Sequence, residues 1–204
     1  MKRTKPNKNK RALRLRILIM GEGETERNYF QAIKEDPDYK KTLSAVNPQI
    51  AVAKNSAPEW VVKEAITKAE QAFKEGNEYD KVWVVFDHDN SANRQAAYEA
   101  AKKELYEIAF SSIAFEKWYL IHFVRSTRSF SNADELIKVL KKYYKDYEKA
   151  KQNDFTKLKD KLDTARSNAI WLRAQVFEND SHLTDCNPWT DVDVLVWYLI
   201  SIKE

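Results

Sequence analysis

Glutamates are grouped around a pair of glycines near the start of the chain. Gly21 and Gly23 are two of the three glycines in 204 residues, and they flank Glu22, with Glu26 three residues further on. The apolar run 15–20 precedes them, so we predict a strand, a tight turn and a helix start, with glycines that tolerate unusual backbone angles. A phosphate-binding turn at a helix N-terminus would avoid acidic residues. The glutamates therefore predict a cation site.

A second acidic stretch follows another predicted strand. Residues 81–86 form a short, largely apolar run that is typical of a strand buried on both faces, and Asp87 and Asp89 come directly after it. Residues two apart in an extended segment point to the same side, so both carboxylates can reach one ion. Oxygen ligands without thiolates favour Mg²⁺ or Mn²⁺ over zinc.

A later acid, Glu116, completes the group of candidate ligands. It stands just beyond a predicted strand over residues 107–112, near the start of the apolar segment 113–123. Open parallel sheets bind ligands at the carboxyl ends of their strands, and each of these acids follows such an end. The five candidate site residues are Glu22, Glu26, Asp87, Asp89 and Glu116.

These five carboxylates would repel one another strongly unless divalent cations lay between them. Carboxylate clusters that hold one or two Mg²⁺ ions commonly serve phosphodiester chemistry, in which one ion activates the attacking water and the other stabilises the leaving oxygen. The alternative for an acid that follows a strand is a capping role at the start of a helix, and Asp89 is placed for it.

The elements that must position these acids alternate between strand and helix, which predicts an α/β fold with a parallel sheet. Gly76 is placed to end the first long helix. From residue 126 onward the chain is predicted to be helical. The predicted strands cover residues 15–20, 47–54, 81–86 and 107–112, and the predicted helices cover 58–75, 92–106, 113–123, 132–147, 154–178 and 190–202.

The helix predicted over 154–178 carries apolar residues at three- and four-residue steps across three heptads. Such a seam binds either a partner or second copy, which would make a homo-oligomer, or neighbouring helices of the same molecule. The seam residues are Phe155, Leu158, Leu162, Ala165, Ala169, Leu172 and Val176.

Charge is distributed unevenly along the chain. Residues 1–16 hold eight lysines and arginines and no acid, whereas the remainder holds 27 basic and 31 acidic residues. The basic residues 1–14 are interpreted as a flexible arm that either contacts nucleic-acid phosphates or acts only as a solvated tail.

Composition narrows the cellular setting. No apolar stretch approaches the roughly 20 residues that a membrane span needs, and no apolar signal core follows the first charges. The single cysteine, Cys186, excludes an internal disulfide and fits a reducing compartment. We expect a cytoplasmic protein without a membrane segment.

Several stretches together resemble a known family. A strand that leads into Gly-Glu-Gly-x-Thr-Glu, with a later strand that ends in Asp-x-Asp, resembles the Toprim domain of topoisomerases, primases and OLD-family nucleases. The stretches 17–30, 82–89 and 115–123, with 187–192 near the end, resemble the RloB-like family. Where that family usually reads Asn-Pro-x-Phe-Glu, this chain has Ser-Ile-Ala-Phe-Glu at 112–116.

The resemblance implies a Toprim-like parallel sheet flanked by helices over 15–125 and a helical C-terminal extension over 126–204 that packs on it. It also implies the effector nuclease of a phage-defence or abortive-infection pair, encoded beside an AAA/ABC-type ATPase partner. Glu22 would serve in general acid/base catalysis, while Asp87 and Asp89 would hold magnesium. Glu26 and Glu116 would complete the site.

Two classes of function follow. The first is a Mg²⁺- or Mn²⁺-dependent nuclease that cleaves DNA or RNA. The second is a non-catalytic subunit that binds nucleic acid or regulates the ATPase and uses the acidic edge only as a structural ion site.

Overall fold

A computed structural model of the chain describes residues 15–87, 92–151, 153–176 and 182–202. Its centre is a four-stranded sheet in which every pairing is parallel and the strand order is β2-β1-β3-β4. The strands are β1 (Ile17–Gly21), β2 (Gln49–Val52), β3 (Lys81–Asp87) and β4 (Glu107–Ser111).

Helices cover both faces of the sheet, as the α/β pattern of the sequence predicts. They are α1 (Glu24–Glu35), α2 (Lys40–Val46), α3 (Pro58–Lys74), α4 (Arg94–Lys103), α5 (Glu116–Leu120), α6 (Ala133–Leu140), α7 (Asp154–Leu158), α8 (Leu162–Val176) and α9 (Val192–Ile200), with 3₁₀ turns at Lys159–Lys161 and Leu183–Asp185.

The central strands form because they are apolar on both sides. Alternate residues of β1 enter different cores: Ile17 and Ile19 pack on one face of the sheet, and Leu18 and Met20 pack on the other. Helices α3 and α4 cover the second face, whereas α1 and most of the later helices cover the first. Burial on both faces explains why these strands read as continuous apolar runs.

The later helices are shorter than the sequence pattern predicts. The segment predicted as one helix over 154–178 consists of α7, the 3₁₀ turn and α8, and Lys159 in that turn forms ion pairs with Asp36 and Asp38 at 2.6 and 2.5 Å. Helix α6 ends at Leu140 rather than near residue 147. Helix α5 keeps only residues 116–120, and bonds of the i→i+3 type close the turn after it.

The seam along α7 and α8 is buried inside the molecule. Phe155, Leu158, Leu162, Ala165 and Ala169 belong to the same core as strands β1 and β3. The structure therefore supports the intramolecular interpretation of this seam, and a second copy is not needed to cover it.

The C-terminal segment holds the end of β4. Thr190 forms an antiparallel bridge with Ser111, and the hydroxyl groups of these two residues are 2.8 Å apart. The Ser112 N–H donates to the Trp189 carbonyl at 2.9 Å, and the Ser112 hydroxyl accepts from the Trp189 N–H at 2.7 Å. Asp191 accepts from the Phe110 N–H at 2.6 Å. These contacts fix the turn that leads to Glu116.

Among the described residues, no helix combines the length and the apolar composition that a bilayer crossing requires.

A buried ion pair anchors this C-terminal segment and provides a test of its importance. Arg173 on α8 binds both carboxylate oxygens of Asp193 on α9, at 2.5 and 3.0 Å, and the Asp193 side chain is 4% exposed. We expect Asp193→Ala to lower the free energy of unfolding by about 2–3 kcal/mol, because the Arg173 charge stays half-buried without its partner. Urea denaturation measures this loss.

The control is Asp163→Ala, at an exposed position in the first turn of α8. We expect it to change the free energy of unfolding by no more than about 0.5 kcal/mol. Equal losses in the two variants would contradict an anchoring role for the Arg173–Asp193 pair.

Candidate functional site

The carboxyl ends of β1 and β3 are joined by a contact of Glu22. Its Oε2 atom accepts a hydrogen bond from the Asp87 backbone N–H at 3.1 Å. Glu22 is the first residue after β1. Asp87 is the last residue of β3, and this aspartate is 8% exposed. Because β1 and β3 are parallel neighbours, the acids at their ends share one edge of the sheet.

The two glycines beside Glu22 make room for Glu26. A Cβ atom on Gly21 would lie 3.1 Å from the Glu26 Cβ, and one on Gly23 would lie 3.3 Å from the Glu26 Oε2. The prediction of unusual backbone angles is wrong here, because Gly23 is extended with φ −148° and Gly76 is the only described glycine with positive φ. The glycines serve close packing of a glutamate.

Glu26 is buried in the first turn of α1, where its Oε2 accepts from the Gly23 N–H at 3.0 Å. Burial raises the pKa of Glu26 to about 7, and the nearby charge of Glu116 contributes to the rise. Loss of hydration is thus the main reason why this carboxyl group holds its proton close to neutral pH.

Glu116 is 1% exposed at the start of α5 and contacts a loop that follows α6. The Tyr147 hydroxyl donates to its Oε1 at 2.6 Å, and the Lys149 Nζ lies 4.0 Å from the same atom. Burial, followed by the charge of Glu116, raises the pKa of Tyr147 above its ordinary value, so the phenol keeps its proton and remains a donor.

A strained turn places Glu116. Ile113 has φ 70°, and the Ala114 N–H donates to the Ser112 carbonyl at 2.9 Å across it. This is a three-residue turn, in a conformation that β-branched residues rarely adopt. The C-terminal segment holds Ser112 in place. The chain therefore positions its glutamate by this clamped turn instead of the Asn-Pro turn that is usual in the family it resembles.

Lys149 lies within electrostatic range of four of the predicted site residues. Partial burial lowers the pKa of its ammonium group, but attraction from Glu116, Asp87, Glu26 and Glu22 outweighs burial and raises the pKa above its ordinary value. The structure thus places one positive charge 4.0 Å from Glu116 and within the electrostatic influence of the other three carboxylates. Sequence reasoning missed Lys149, because it is one lysine in a loop of a lysine-rich chain.

The loop that carries Lys149 is tied to α1, the helix that follows Glu22. The Asn28 side chain donates to the Ala150 carbonyl at 2.9 Å, and Ala150 has φ 59°. Tyr147 is 1% exposed and packs against Tyr119 in the aromatic core. Lys149 and Tyr147 are thereby held close to Glu116 by contacts on two sides.

Asp89, the fifth predicted ligand, lies outside the described residues. Within the ranges that the structure describes, no three His, Cys, Asp or Glu side chains are close enough to form a metal site. Three of the four described carboxylates accept hydrogen bonds from protein groups: Glu22 from the Asp87 N–H, Glu26 from the Gly23 N–H and Glu116 from the Tyr147 hydroxyl. The metal therefore stays a prediction.

The donor chemistry of this edge fits a hard divalent cation. Every candidate ligand is a carboxylate, and oxygen donors suit Mg²⁺ or Mn²⁺. A buried carboxyl group with a raised pKa beside a second carboxylate, as at Glu26 and Glu116, is what a site for an added positive charge would show.

Two other polar residues near Glu116 do not join this group. His122 is buried, its Nδ1 is 2.8 Å from the Trp118 carbonyl, and burial lowers its pKa to about 4, so it stays neutral. Lys117 is 1% exposed, and its Nζ lies 5.5 Å from the centre of the Phe130 ring. Burial lowers the pKa of Lys117 to about 8.

Comparison with known proteins identifies one family. The family model described as RloB-like protein matches residues 17–199, which include all five predicted site residues. No curated protein and no solved structure matches the chain significantly.

Glu26 makes the folding stability depend on pH. The folded protein retains a proton on Glu26 up to about pH 7, whereas the unfolded chain releases it near pH 4.5. The contribution of Glu26 to the free energy of unfolding therefore falls by at most about 3 kcal/mol as the pH rises from about 4.5 to 7. Glu26→Gln keeps an acceptor for the Gly23 N–H but has no charge, so we expect a more stable protein above pH 7.

This prediction is measured by urea denaturation between pH 5 and pH 8 with a chelator present. Glu24→Gln is the matched control, because Glu24 lies in the same helical turn but is half exposed and paired with Arg27. The control should leave the pH profile unchanged. A Glu26→Gln profile parallel to that of the unmodified protein would contradict the assignment of the proton to Glu26.

Proposed function

Because the chain belongs to the RloB-like protein family, we propose that it is a Mg²⁺- or Mn²⁺-dependent nuclease that cleaves phosphodiester bonds of DNA or RNA. We further propose that it is the effector of a phage-defence or abortive-infection system and works with an AAA/ABC-type ATPase partner in the cytoplasm.

The observation that carries the nuclease proposal is the contact between Glu22 and Asp87. It joins acids from two parallel strands at the sheet edge where such folds bind ligands. Glu26 and Glu116 lie near enough to affect the same ammonium group as Glu22 and Asp87. An acidic edge of this kind repels nucleic-acid phosphates unless a cation bridges the two, so metal binding and substrate binding would be coupled.

In the proposed mechanism the carboxylates divide the work. Asp87 and Asp89 would hold the cation, and Glu26 and Glu116 would complete its surroundings. A bound divalent cation supplies a water of lowered pKa and neutralises charge on the phosphate. Glu22 would act as the general base or acid, because its carboxylate already lies beside the end of β3.

Residues outside this edge would bring the substrate to it. The basic arm, residues 1–14, lies outside the described residues, and we propose that it contacts the phosphate backbone. Lys149 is more than half exposed while also near Glu116, so it adds a positive charge at the entrance to the acidic edge. The ATPase partner would control access of nucleic acid to the site.

A specific observation favours the second class of function, a non-catalytic subunit. Glu116 and Glu26 are already bound by protein donors, and the described residues include no ready group of three metal ligands. In this alternative the acidic edge has a structural role, and the protein binds nucleic acid or regulates the ATPase without cleaving a bond.

Cleavage is the direct test of the nuclease proposal. We expect fluorescently labelled DNA or RNA to be cut with Mg²⁺ or Mn²⁺ in the presence of the partner and ATP, and not with a chelator. Glu22→Gln and Asp87→Asn remove charge at constant size, so we expect each to lower the cleavage rate at least about a hundredfold. Glu24→Gln is the control and should retain the rate of the unmodified protein.

Phage protection separates the two classes of function in cells. The nuclease proposal expects Glu22→Gln and Asp87→Asn each to abolish protection while protein levels and partner binding stay normal. The non-catalytic alternative expects both variants to protect as well as the unmodified system. Efficiency of plating on cells that carry the complete system measures the difference, with Glu24→Gln again as the control.

A further inference from the structure

A groove lies at the end of the sheet opposite the carboxylates. It has a volume of about 540 Å³ and runs between the C-terminal ends of α3 and α4 and the first residues of β3 and β4. Lys81, at the start of β3, lines the groove, whereas Asp87 ends the same strand at the carboxylate edge. Six residue steps of a strand separate the two by roughly 20 Å.

Two large apolar side chains are exposed beside this groove. Phe73, near the end of α3, is 66% exposed, and Leu105, just after α4, is 90% exposed. Ile66 and Tyr106 line the groove as partly buried residues that pack on the core beneath. The apolar surface is therefore continuous with the core and not a single scattered side chain.

Helices α3 and α4 end with the same hydrogen-bond pattern but with different residues. After α3, Gly76 has φ 69°; its N–H donates to the Phe73 carbonyl, and the next N–H donates to the Ala72 carbonyl. After α4, Leu105 has φ 59°, and its N–H donates to the Lys102 carbonyl. The Tyr106 N–H then donates to the Ala101 carbonyl, five residues back, as after α3. Glycine is the usual residue at this left-handed position.

Folding alone does not explain leucine at position 105. A residue with a Cβ atom is strained in the left-handed conformation, and the strain is normally offset by contacts of its side chain. With 90% of its surface exposed, the Leu105 side chain gains almost no burial. An apolar residue with a strained backbone and an exposed side chain is accounted for if another molecule buries that side chain.

Charge at the rim indicates what that molecule is. Glu70, Glu78 and Glu104 line the groove and form no ion pair among the described residues. Of the two lysines there, Lys81 is already paired with Glu107 at 2.7 Å, which leaves Lys74 against three glutamates. The rim is acidic around an apolar centre, and it complements a basic segment that carries an apolar side chain.

We propose that this groove is a docking surface for a basic segment of a partner protein, whose apolar side chain packs between Phe73 and Leu105. The segment would resemble the helix-in-groove or extended-peptide ligands of other proteins, with lysines or arginines facing the glutamates. Docking here leaves the carboxylate edge open and does not depend on that edge being catalytic.

A second copy of the chain fits this groove less well than a basic segment does. Two copies that met through this surface in a symmetric dimer would bring like acidic rims together, which is repulsive. The chain's own basic residues 1–14 precede Arg16, whose N–H donates to the Asp80 carboxylate and whose guanidinium lies over the Tyr79 ring, and both of these residues line the groove. This segment is therefore the competing basic occupant. Both occupants are nevertheless distinguished by the experiment.

The test uses the full chain in its native cells, with p-benzoylphenylalanine in place of Phe73 as a photoreactive probe. After irradiation, mass spectrometry identifies the peptide attached to position 73. A basic, leucine- or phenylalanine-containing segment of another protein is the expected adduct. The same probe in place of Ile170, which is 52% exposed on α8, is the control and should not give that adduct.

Two variants then tie the adduct to the groove. We expect Leu105→Gly to lower its yield about tenfold, the effect of removing one buried leucine contact. The double variant Glu70→Lys, Glu104→Lys should abolish it. An adduct with residues 1–14, an adduct between two copies, an adduct with a segment that is not basic, or no adduct would each overturn the proposal.

Stability measurements separate docking from a folding role for Leu105. We expect Leu105→Gly to raise the thermal midpoint of the isolated protein by roughly 2 °C, because it relieves strain and loses no burial. Gly76→Ala is the reference for strain alone, since no atom lies within 4 Å of the added Cβ, and it should lower the midpoint. A lower midpoint for Leu105→Gly would mean that the leucine serves the fold, and the inference would be wrong.

Discussion

Negative charge gathered at one edge of a buried sheet is the constraint on which the rest of this structure depends. Several separate contacts stabilise the individual carboxylates at this edge. A backbone N–H donates to Glu22, another donates to Glu26, and a tyrosine hydroxyl donates to Glu116. Lys149 supplies a positive charge 4.0 Å from Glu116, and burial leaves Glu26 with a pKa of about 7. The gathering of carboxylates at one edge of the sheet is the electrostatic reason to propose a cation there.

The C-terminal helices are arranged so that Glu116 can join this edge. Glu22 and Asp87 follow strands in the middle of the sheet, but β4 is its outer strand and has no further strand to hold its end. The bridge between Ser111 and Thr190 supplies the missing neighbour, and the loop after α6 brings Tyr147 to Glu116. The helical part therefore does more than cover the core: it positions Glu116 from the side where the sheet ends.

Sequence patterns predicted what depends on burial and missed what depends on individual loop contacts. The apolar runs of β1 and β3 predict central parallel strands, and parallel strands place Glu22 and Asp87 at one edge. The apolar spacing over 154–178 continues through the 3₁₀ turn, so periodicity could not reveal the break at Lys159. The glycines beside Glu22 were predicted for their backbone freedom, because a sequence does not show that Glu26 would pack over them.

Four non-glycine residues in the described ranges have positive φ: Asn47, Leu105, Ile113 and Ala150. They differ in the contacts that hold them in this conformation. Asparagine is a common residue at such a position. Ile113 is buried beside the clamped Ser112, and the Ala150 carbonyl is bound by Asn28, so tertiary contacts hold both turns where they place Glu116 and Lys149. Leu105 has the same backbone strain, yet its side chain lies in solvent. At the acidic edge, the surrounding structure thus holds the strained turns that place Glu116 and Lys149. At the opposite end, the strained backbone of Leu105 has no such support from the described residues, and the acidic rim around it favours a basic partner as the missing contact.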